Sequence, residues 1–227
     1  MKKFAVLALA LMLAVAIVPA FAATAVDDFV YVPATVLNGQ NGGVGWAAPW
    51  TSLTPGLFTI TNGGLSFPGL LTTGNAVQVG VVQSGFAAAD RQLASGYKYG
   101  GLNTTSNFSF LIRPDAQFGQ WGSMMLRTSI LGTEFGITTN PSTGVQALFI
   151  QQGGSGGLST STPITYVAGT TYLVKGQLVV DNAGAGTLTA WVYDPTGPSG
   201  TLIGTTSMAL TYAGQNYWGS QYSLVEL

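Results

Sequence analysis

The stretch Thr171-Tyr-Leu-Val-Lys-Gly-Gln-Leu-Val-Val180 decides the fold class. Its residues alternate between apolar and polar, the period-two pattern of a strand with one buried face. The predicted buried side holds Tyr172, Val174, Leu178 and Val180, and the opposite side holds Lys175 and Gln177. Asp181-Asn-Ala-Gly-Ala-Gly186 then reads as a hairpin loop, and Thr187-Leu-Thr-Ala-Trp-Val-Tyr193 alternates again. We therefore expect two antiparallel strands joined by a hairpin.

Short alternating runs recur along the chain, separated by Gly, Asn and Pro. Asn107-Phe-Ser-Phe-Leu-Ile-Arg113 places Phe108, Phe110 and Ile112 on one face. Further strands are predicted at 26–32, 57–60, 64–67, 76–82, 121–129, 133–138, 145–151, 201–211 and 217–226. Asn62-Gly-Gly suggests a tight hairpin between two of these runs. The pattern predicts an all-β fold, a two-sheet antiparallel β-sandwich of the jelly-roll type.

The N-terminus has the three parts of a secretory signal peptide. Lys2 and Lys3 precede an apolar run from Phe4 to Val18, and Ala20-Phe-Ala22 supplies the small-x-small cleavage site. We predict a signal peptide over 1–22 and a single domain over 23–227, with Ala25 as an alternative cleavage position. The expected location is outside the cell, with a bacterial cell surface as one destination. The apolar run is shorter than the roughly 20 residues of a spanning helix, which argues against a retained N-terminal anchor. No membrane anchor is expected in the mature chain, because no second apolar segment is long enough to cross a membrane.

Composition narrows the chemistry. The chain contains no His, no Cys and only two Glu, Glu134 and Glu226. Serine hydrolysis lacks its usual base, and zinc or copper sites lack their usual ligands. A glycosidase needs two paired carboxyl groups, and no carboxylate-rich strand motif is present, although folding could bring together Asp90, Asp115 or Glu134. We therefore expect no enzyme, and the weak acidity of the mature chain argues against nucleic acid.

A resemblance to a known family rests on two stretches. Asp28-Phe-Val-Tyr-Val-Pro-Ala-Thr-Val-Leu-Asn-Gly-Gln-Asn-Gly-Gly-Val-Gly-Trp-Ala-Ala-Pro-Trp-Thr51 resembles the opening of concanavalin A-like (LamG-type) jelly-roll domains of secreted bacterial proteins. The segment from Tyr172 to Pro195 is similar to the late hairpin of that family. The resemblance implies a two-sheet sandwich with its termini close together. It implies little about function, because this fold hosts lectins, adhesion modules and glycosidases.

The aromatic residues leave two interpretations open. Trp46 and Trp50 either cover an end of the core or stack on a sugar ring, since an indole offers flat apolar area. Trp121, Trp191 and Trp218 face the same choice. Trp191 and Tyr193 lie opposite the apolar residues of their strand and together could form an exposed aromatic platform. The candidate ligand-binding residues are therefore Trp46, Trp50, Trp191 and Tyr193.

Calcium is the one metal for which the chain offers ligands, because carboxylates, amides and backbone carbonyls suffice. The resemblance places such sites near chain ends or in a loop, which makes Asp27, Asp28, Asp181 and Asn182 the candidates. The alternative is that Asp181 and Asn182 are turn residues and that Asp27 and Asp28 merely begin the domain.

Three functional hypotheses follow. The first is a secreted, non-catalytic carbohydrate-binding or adhesion module whose partner is a glycan or another extracellular matrix component. The second is a structural protein of a matrix or surface layer that self-associates through sheet edges. The third is a glycoside hydrolase.

Overall fold

The computed structural model describes residues 24–80, 87–97, 99–115, 121–127, 132–140, 143–153, 159–210 and 224–226. The predicted signal peptide over 1–22 and Trp218 lie outside these ranges. The strands are β1 (Thr51–Ser52), β2 (Phe58–Thr61), β3 (Ala76–Val79), β4 (Ala89–Gln92), β5 (Thr104–Ile112), β6 (Trp121–Arg127), β7 (Gly132–Thr139), β8 (Gln146–Gln152), β9 (Ser159–Pro163), β10 (Tyr172–Val180), β11 (Gly186–Asp194), β12 (Thr201–Leu210) and β13 (Leu224–Glu226). Two single 3-10 turns, Pro55–Leu57 and Ser95–Tyr97, complete the regular structure of the described chain.

The strands form two large antiparallel sheets and a small one. The first runs in the order β1-β4-β13-β6-β7-β8-β9, and the second in the order β12-β11-β10-β5. The small sheet pairs β2 with β3. β12 packs against β8 and β9, so that the two large sheets lie face to face. The predicted all-β antiparallel sandwich is confirmed.

The core lies between the two large sheets. The four-stranded sheet contributes the inward residues of β10 and β11, and the seven-stranded sheet contributes those of β7 and β8. The central members are Phe135, Ile137, Leu148, Ile150, Val174, Leu178, Leu188, Ala190 and Val192, each fully or almost fully buried. Burial of apolar area on this scale is the main stabilising term of such a fold.

Gly176 shows how closely the sheets approach each other. It lies on the inward side of β10, where a methyl group would come within 2.6 Å of the Phe135 ring. The absence of a side chain at this position lets the tip of the Phe135 ring approach the β10 backbone closely. Phe135 in turn contacts Phe108 and Phe110 of β5, at 6.4 and 5.8 Å between ring centroids.

Several sequence predictions are confirmed at the level of single residues. The inward and outward sides of β10 and β11 are those read from the alternation, and the predicted hairpin joins Val180 to Gly186 in register. Phe108, Phe110 and Ile112 pack against the core from one face of β5. The runs at 57–60, 76–82, 121–129, 133–138, 145–151 and 201–211 correspond to β2, β3, β6, β7, β8 and β12.

Two predicted strands are wrong. Residues 64–67 form no strand, and β2 pairs with β3 across a longer connection instead of closing a tight hairpin at Asn62-Gly-Gly. Residues 26–32 form only an isolated bridge between Val26 and Val44. The extended conformation of 26–32 is interrupted at Phe29, which adopts a positive φ and donates its amide to the Asp27 side chain. The predicted run 217–226 is described only for β13.

Candidate functional site

Asp27 is the centre of a buried polar cluster that ties the N-terminal segment to β4. Its Oδ2 accepts hydrogen bonds from the Tyr31 hydroxyl at 2.6 Å and from the Trp50 indole N–H at 2.7 Å. The same oxygen forms an ion pair with Arg91 Nη1, and Oδ1 accepts from the Phe29 amide at 2.9 Å. The Asp27 side chain is 4% exposed. The Asp27 carboxylate therefore has four protein donors and little contact with water.

Arg91 completes the cluster from the inward side of β4. Its Nε donates to the carbonyl of Ala48 at 3.0 Å, and Nη2 donates to Asn41 Oδ1 at 2.9 Å. The guanidinium carbon lies 5.0 Å from the ring centroid of Trp46 and 5.7 Å from that of Trp50. Arg91 is 1% exposed, so the guanidinium is stabilised by hydrogen bonds and two indole faces instead of water.

Two of the four candidate ligand-binding residues, Trp46 and Trp50, pack against Arg91 in this cluster. Trp50 is 2% exposed and packs with Leu37, Phe58 and Ile60 in a second, smaller core. Trp46 is half-buried, donates its indole N–H to the carbonyl of Val26 at 3.0 Å, and turns a face to Arg91. The structure therefore does not offer Trp50 to a sugar, because its surface is already covered by protein.

Trp191 and Tyr193 occupy a different place, on the outward side of the four-stranded sheet. Strand register sets rows of side chains across that surface, and three of them include or adjoin Trp191. The rows are Leu111-Leu173-Tyr193-Leu202, Ser109-Lys175-Trp191-Thr205 and Asn107-Gln177-Thr189-Ser207. We call this surface the Trp191 face. Neighbours within a row are about 4.8 Å apart and successive rows about 6.7 Å, so the side chains of the face form a regular grid.

Hydrogen bonds between neighbouring residues fix the polar side chains in one row of the Trp191 face, Asn107-Gln177-Thr189-Ser207. Gln177 Nε2 donates to Asn107 Oδ1 at 3.0 Å, and the hydroxyls of Thr189 and Ser207 lie 3.0 Å apart. These amides and hydroxyls are exposed or half-buried, which leaves further donors and acceptors facing solvent. Because each group is fixed by a neighbour, a ligand would meet them already oriented.

At the other end of the Trp191 face, the buried residue Leu173 is apolar and the exposed residue Lys175 carries a positive charge. Leu173 is 4% exposed although it lies on the outward side of β10. Lys175 is exposed, and its ammonium lies 5.0 Å from the ring centroid of Tyr193. Trp191 and Tyr193 are both half-buried, so each keeps part of its ring area open to solvent.

The calcium candidates do not come together as one set. Asp27 has its oxygens occupied by Arg91 and three other donors, as described above. Asp28 Oδ2 accepts from the Thr73 hydroxyl at 2.9 Å. Asp181 belongs to the hairpin between β10 and β11, where its Oδ1 accepts from the amides of Ala183 and Ala185, both at 2.8 Å. The neighbouring Asn182 is exposed. Over the described ranges, no three acidic residues are grouped closely enough to hold a metal ion.

The acidic residues considered for hydrolysis are also separated. Glu134 on β7 accepts a hydrogen bond from Ser123, and burial raises the pKa of its carboxyl group. Asp90 on β4 pairs with Arg127 at 3.5 Å. Two strands, β13 and β6, lie between β4 and β7, which puts their backbones about 14 Å apart. Asp115 is exposed beyond the end of β5.

Comparison of the chain with protein-family models, with curated proteins and with solved structures finds no match. The likeness to concanavalin A-like domains therefore remains a resemblance carried by residues 28–51 and 172–195. What the structure establishes is the coarser class, an antiparallel β-sandwich. In the portion of the chain that it describes, no helix has the length and hydropathy to cross a membrane.

Arg91 is the important residue that sequence reasoning missed. It sits in Ala88-Ala-Asp-Arg-Gln-Leu93, a segment too polar to suggest a half-buried strand. A signal was nevertheless present. An Arg in a segment rich in Ala has to be paired if it is buried, and Asp27, which immediately precedes the motif at 28–51, was available as its partner.

Proposed function

We propose that the protein is a secreted, non-catalytic carbohydrate-binding module that binds a glycan on the Trp191 face. The observation that carries the proposal is the position of Trp191, half-buried beside Lys175 and one row from the Gln177–Asn107 hydrogen bond. A sugar ring has an apolar C–H side and a rim of hydroxyls. An indole face beside fixed amides and hydroxyls offers both kinds of contact at the spacing of a few ångströms that a ring requires.

The shape of the face favours a polymer over a small molecule. Small-molecule sites are concave and bury most of the ligand. The Trp191 face instead extends over four strands and several rows, so that successive sugar units of a chain would each find contacts. None of the outward residues in its three rows is Asp or Glu. A ligand lying there would meet no carboxylate pair, which supports binding without hydrolysis.

Binding of polysaccharides, followed by intrinsic Trp fluorescence and affinity electrophoresis, tests the proposal. We expect Trp191→Ala to abolish detectable binding and Trp191→Phe to retain part of it. Leu71→Ala serves as the matched control, because Leu71 is 99% exposed and lies outside the three rows of the Trp191 face. Binding that survives Trp191→Ala at full strength would disprove the proposed face.

The second candidate function is self-assembly of an extracellular matrix or surface layer through sheet edges. The free edge of β12 is contacted at one point by β9, where the Thr162 hydroxyl donates to the carbonyl of Thr205 at 2.8 Å. β5 is the other end of the four-stranded order and, among the described strands, pairs with β10 alone. A nine-residue edge of this kind is a template for strand addition. Fibres or sheets seen by electron microscopy at micromolar concentration, without any glycan-induced change in Trp emission, would favour this function.

A further inference from the structure

In the part of the chain that the structure describes, the Trp191 face carries a positive charge that has no carboxylate partner. Of the cations there, Arg91 is paired with Asp27 and Arg127 with Asp90. Lys175 forms no ion pair with a described residue, and the outward residues around it are Ser, Leu, Gln, Trp and Tyr. Arg113 is exposed just after the end of β5, outside the three rows. Lys175 is therefore the cation within the three rows of the Trp191 face.

The position of the Lys175 ammonium is restricted by an aromatic ring. It lies over Tyr193 at 5.0 Å, on a surface open to solvent. A cation–π contact attracts the ammonium but leaves its charge uncompensated. The ring thus reduces the entropy that a ligand would have to remove in order to fix the lysine. A neutral sugar would gain little from this charge and would have to displace its water.

Lys175 and Trp191 are neighbours across two strands of the Trp191 face. The two residues are directly opposite each other on β10 and β11, so their Cβ atoms are about 5 Å apart. In a uronic acid the carboxylate is attached directly to a ring carbon. A ring lying on Trp191 would therefore place its carboxylate within reach of the Lys175 ammonium.

We propose that the ligand of the Trp191 face is an acidic polysaccharide built from uronic acid units, with the ring on Trp191 and the carboxylate at Lys175 Nζ. This inference rests on the proposed glycan-binding function and names its substrate class. Charge complementarity carries it, because the one unpaired cation of the grid lies beside the one indole.

The test compares polygalacturonate and alginate with their carboxyl-reduced forms, which keep the polymer backbone and lose the charge. We expect the acidic forms to bind about two- to fivefold more tightly at low ionic strength, with the preference falling as salt is added. Lys175→Gln should weaken binding of the acidic forms by about the same factor, the scale of a single exposed charge pair, and leave binding of the neutral forms unchanged. Lys175→Arg should keep the preference.

Arg127→Gln is the matched control, since it removes one positive charge from the other sheet and should not alter the preference. Circular dichroism and the melting temperature report whether each variant is folded. Equal binding of acidic and reduced polymers, with no effect of Lys175→Gln, would overturn this inference while leaving the glycan-binding function intact. Failure of both forms to bind would overturn the function and the inference together.

Discussion

Asp27 and Arg91 form an ion pair in the interior of the protein, although 64 positions separate them along the chain. The pair fixes the irregular segment before β1 to the inward side of β4. Two indoles, a phenol and an amide complete its surroundings, so both charges are satisfied without water. The Gly- and Trp-rich stretch that suggested a family resemblance is thus, in this structure, the scaffold around a buried charge pair.

Replacement of Asp27 by Asn should destabilise the protein by about 3–5 kcal/mol, because it leaves a buried guanidinium without its counter-ion. Urea unfolding followed by Trp fluorescence measures the change in the free energy of unfolding. Asp28→Asn is the matched control, since Asp28 bonds to the exposed Thr73 and carries no buried charge partner. That variant should stay within about 1 kcal/mol of the parent protein.

The double variant Asp27→Asn/Arg91→Met should be more stable than the sum of the two single changes predicts. Each single change leaves one buried charge without its partner, whereas the double change removes both charges. Additive effects in this cycle would show that the two residues act independently, against the contact described.

Glu134 should make the protein less stable as the pH rises. Burial raises the pKa of Glu134 above its usual 4.5 in the folded state, with the Ser123 hydrogen bond opposing. The folded protein then holds this proton more tightly than the unfolded chain, so stability decreases from the unfolded-state pKa upward through the folded-state pKa. Glu134→Gln should flatten that slope and raise the melting temperature at pH 7, while Ser123 can still donate to the amide oxygen.

Asp194 provides a control of opposite sign. The Thr196 hydroxyl lowers the pKa of this exposed carboxyl group, so its small contribution is present above its unfolded-state pKa and is lost as the pH falls. Asp194→Asn should therefore weaken the protein slightly at neutral pH. Melting curves for both variants from about pH 2, below the usual pKa of 3.8 of Asp194, up to pH 8 decide the matter, and parallel slopes for Glu134→Gln and the parent would refute the assignment.

Gly176→Ala should destabilise the protein by about 1–3 kcal/mol, since the added methyl group would press into the Phe135 ring. Gly96→Ala is the comparison, because a methyl group there meets nothing within 4 Å and the backbone needs no positive φ. Thermal unfolding should show a clear loss for the first and no loss for the second. An unchanged melting temperature for Gly176→Ala would mean that the sheets can move apart at this point.

Calcium should have no effect on stability. The oxygens of Asp27 are occupied by protein donors, and Asp181 bonds two amides of its own hairpin. Melting temperatures in excess EDTA and in millimolar CaCl2 should agree within about 1 °C, because a ligand that does not bind the folded state cannot stabilise it. A rise with calcium would reinstate Asp28, Asp181 or Asn182 as ligands.

Alternation in the sequence is enough to predict the strands whose two sides face different environments. On β10 and β11, Val174 and Leu188 lie in the core, whereas Lys175 and Trp191 lie on the outer surface. The alternation of residue types along the two strands predicts these positions. The outward position of Trp191 therefore follows from the alternation alone. The register that brings Lys175 opposite Trp191 does not, because it depends on the hairpin geometry.

The sequence pattern fails where polar residues face inward or apolar residues face outward. β4 contains Asp90 and Arg91, and β9 consists of Ser, Thr and Pro, so neither shows an apolar face. Conversely, Val30 and Val32 suggest a strand, yet both are mostly exposed. The backbone of that segment follows the side-chain bonds of Asp27, a long-range cause that no local pattern contains.

The position of β13 has a consequence for biosynthesis. Its three residues lie between β4 and β6, and so join the two parts of the seven-stranded sheet. The ribosome delivers the N-terminal part of a chain first, but this sheet cannot close until residues 224–226 have emerged. Until then β4 and β6 are open edges, vulnerable to pairing with other chains. Pairing of β13 thus completes the seven-stranded sheet and removes both open edges. A chain truncated before Leu224 should therefore accumulate as aggregate instead of soluble protein.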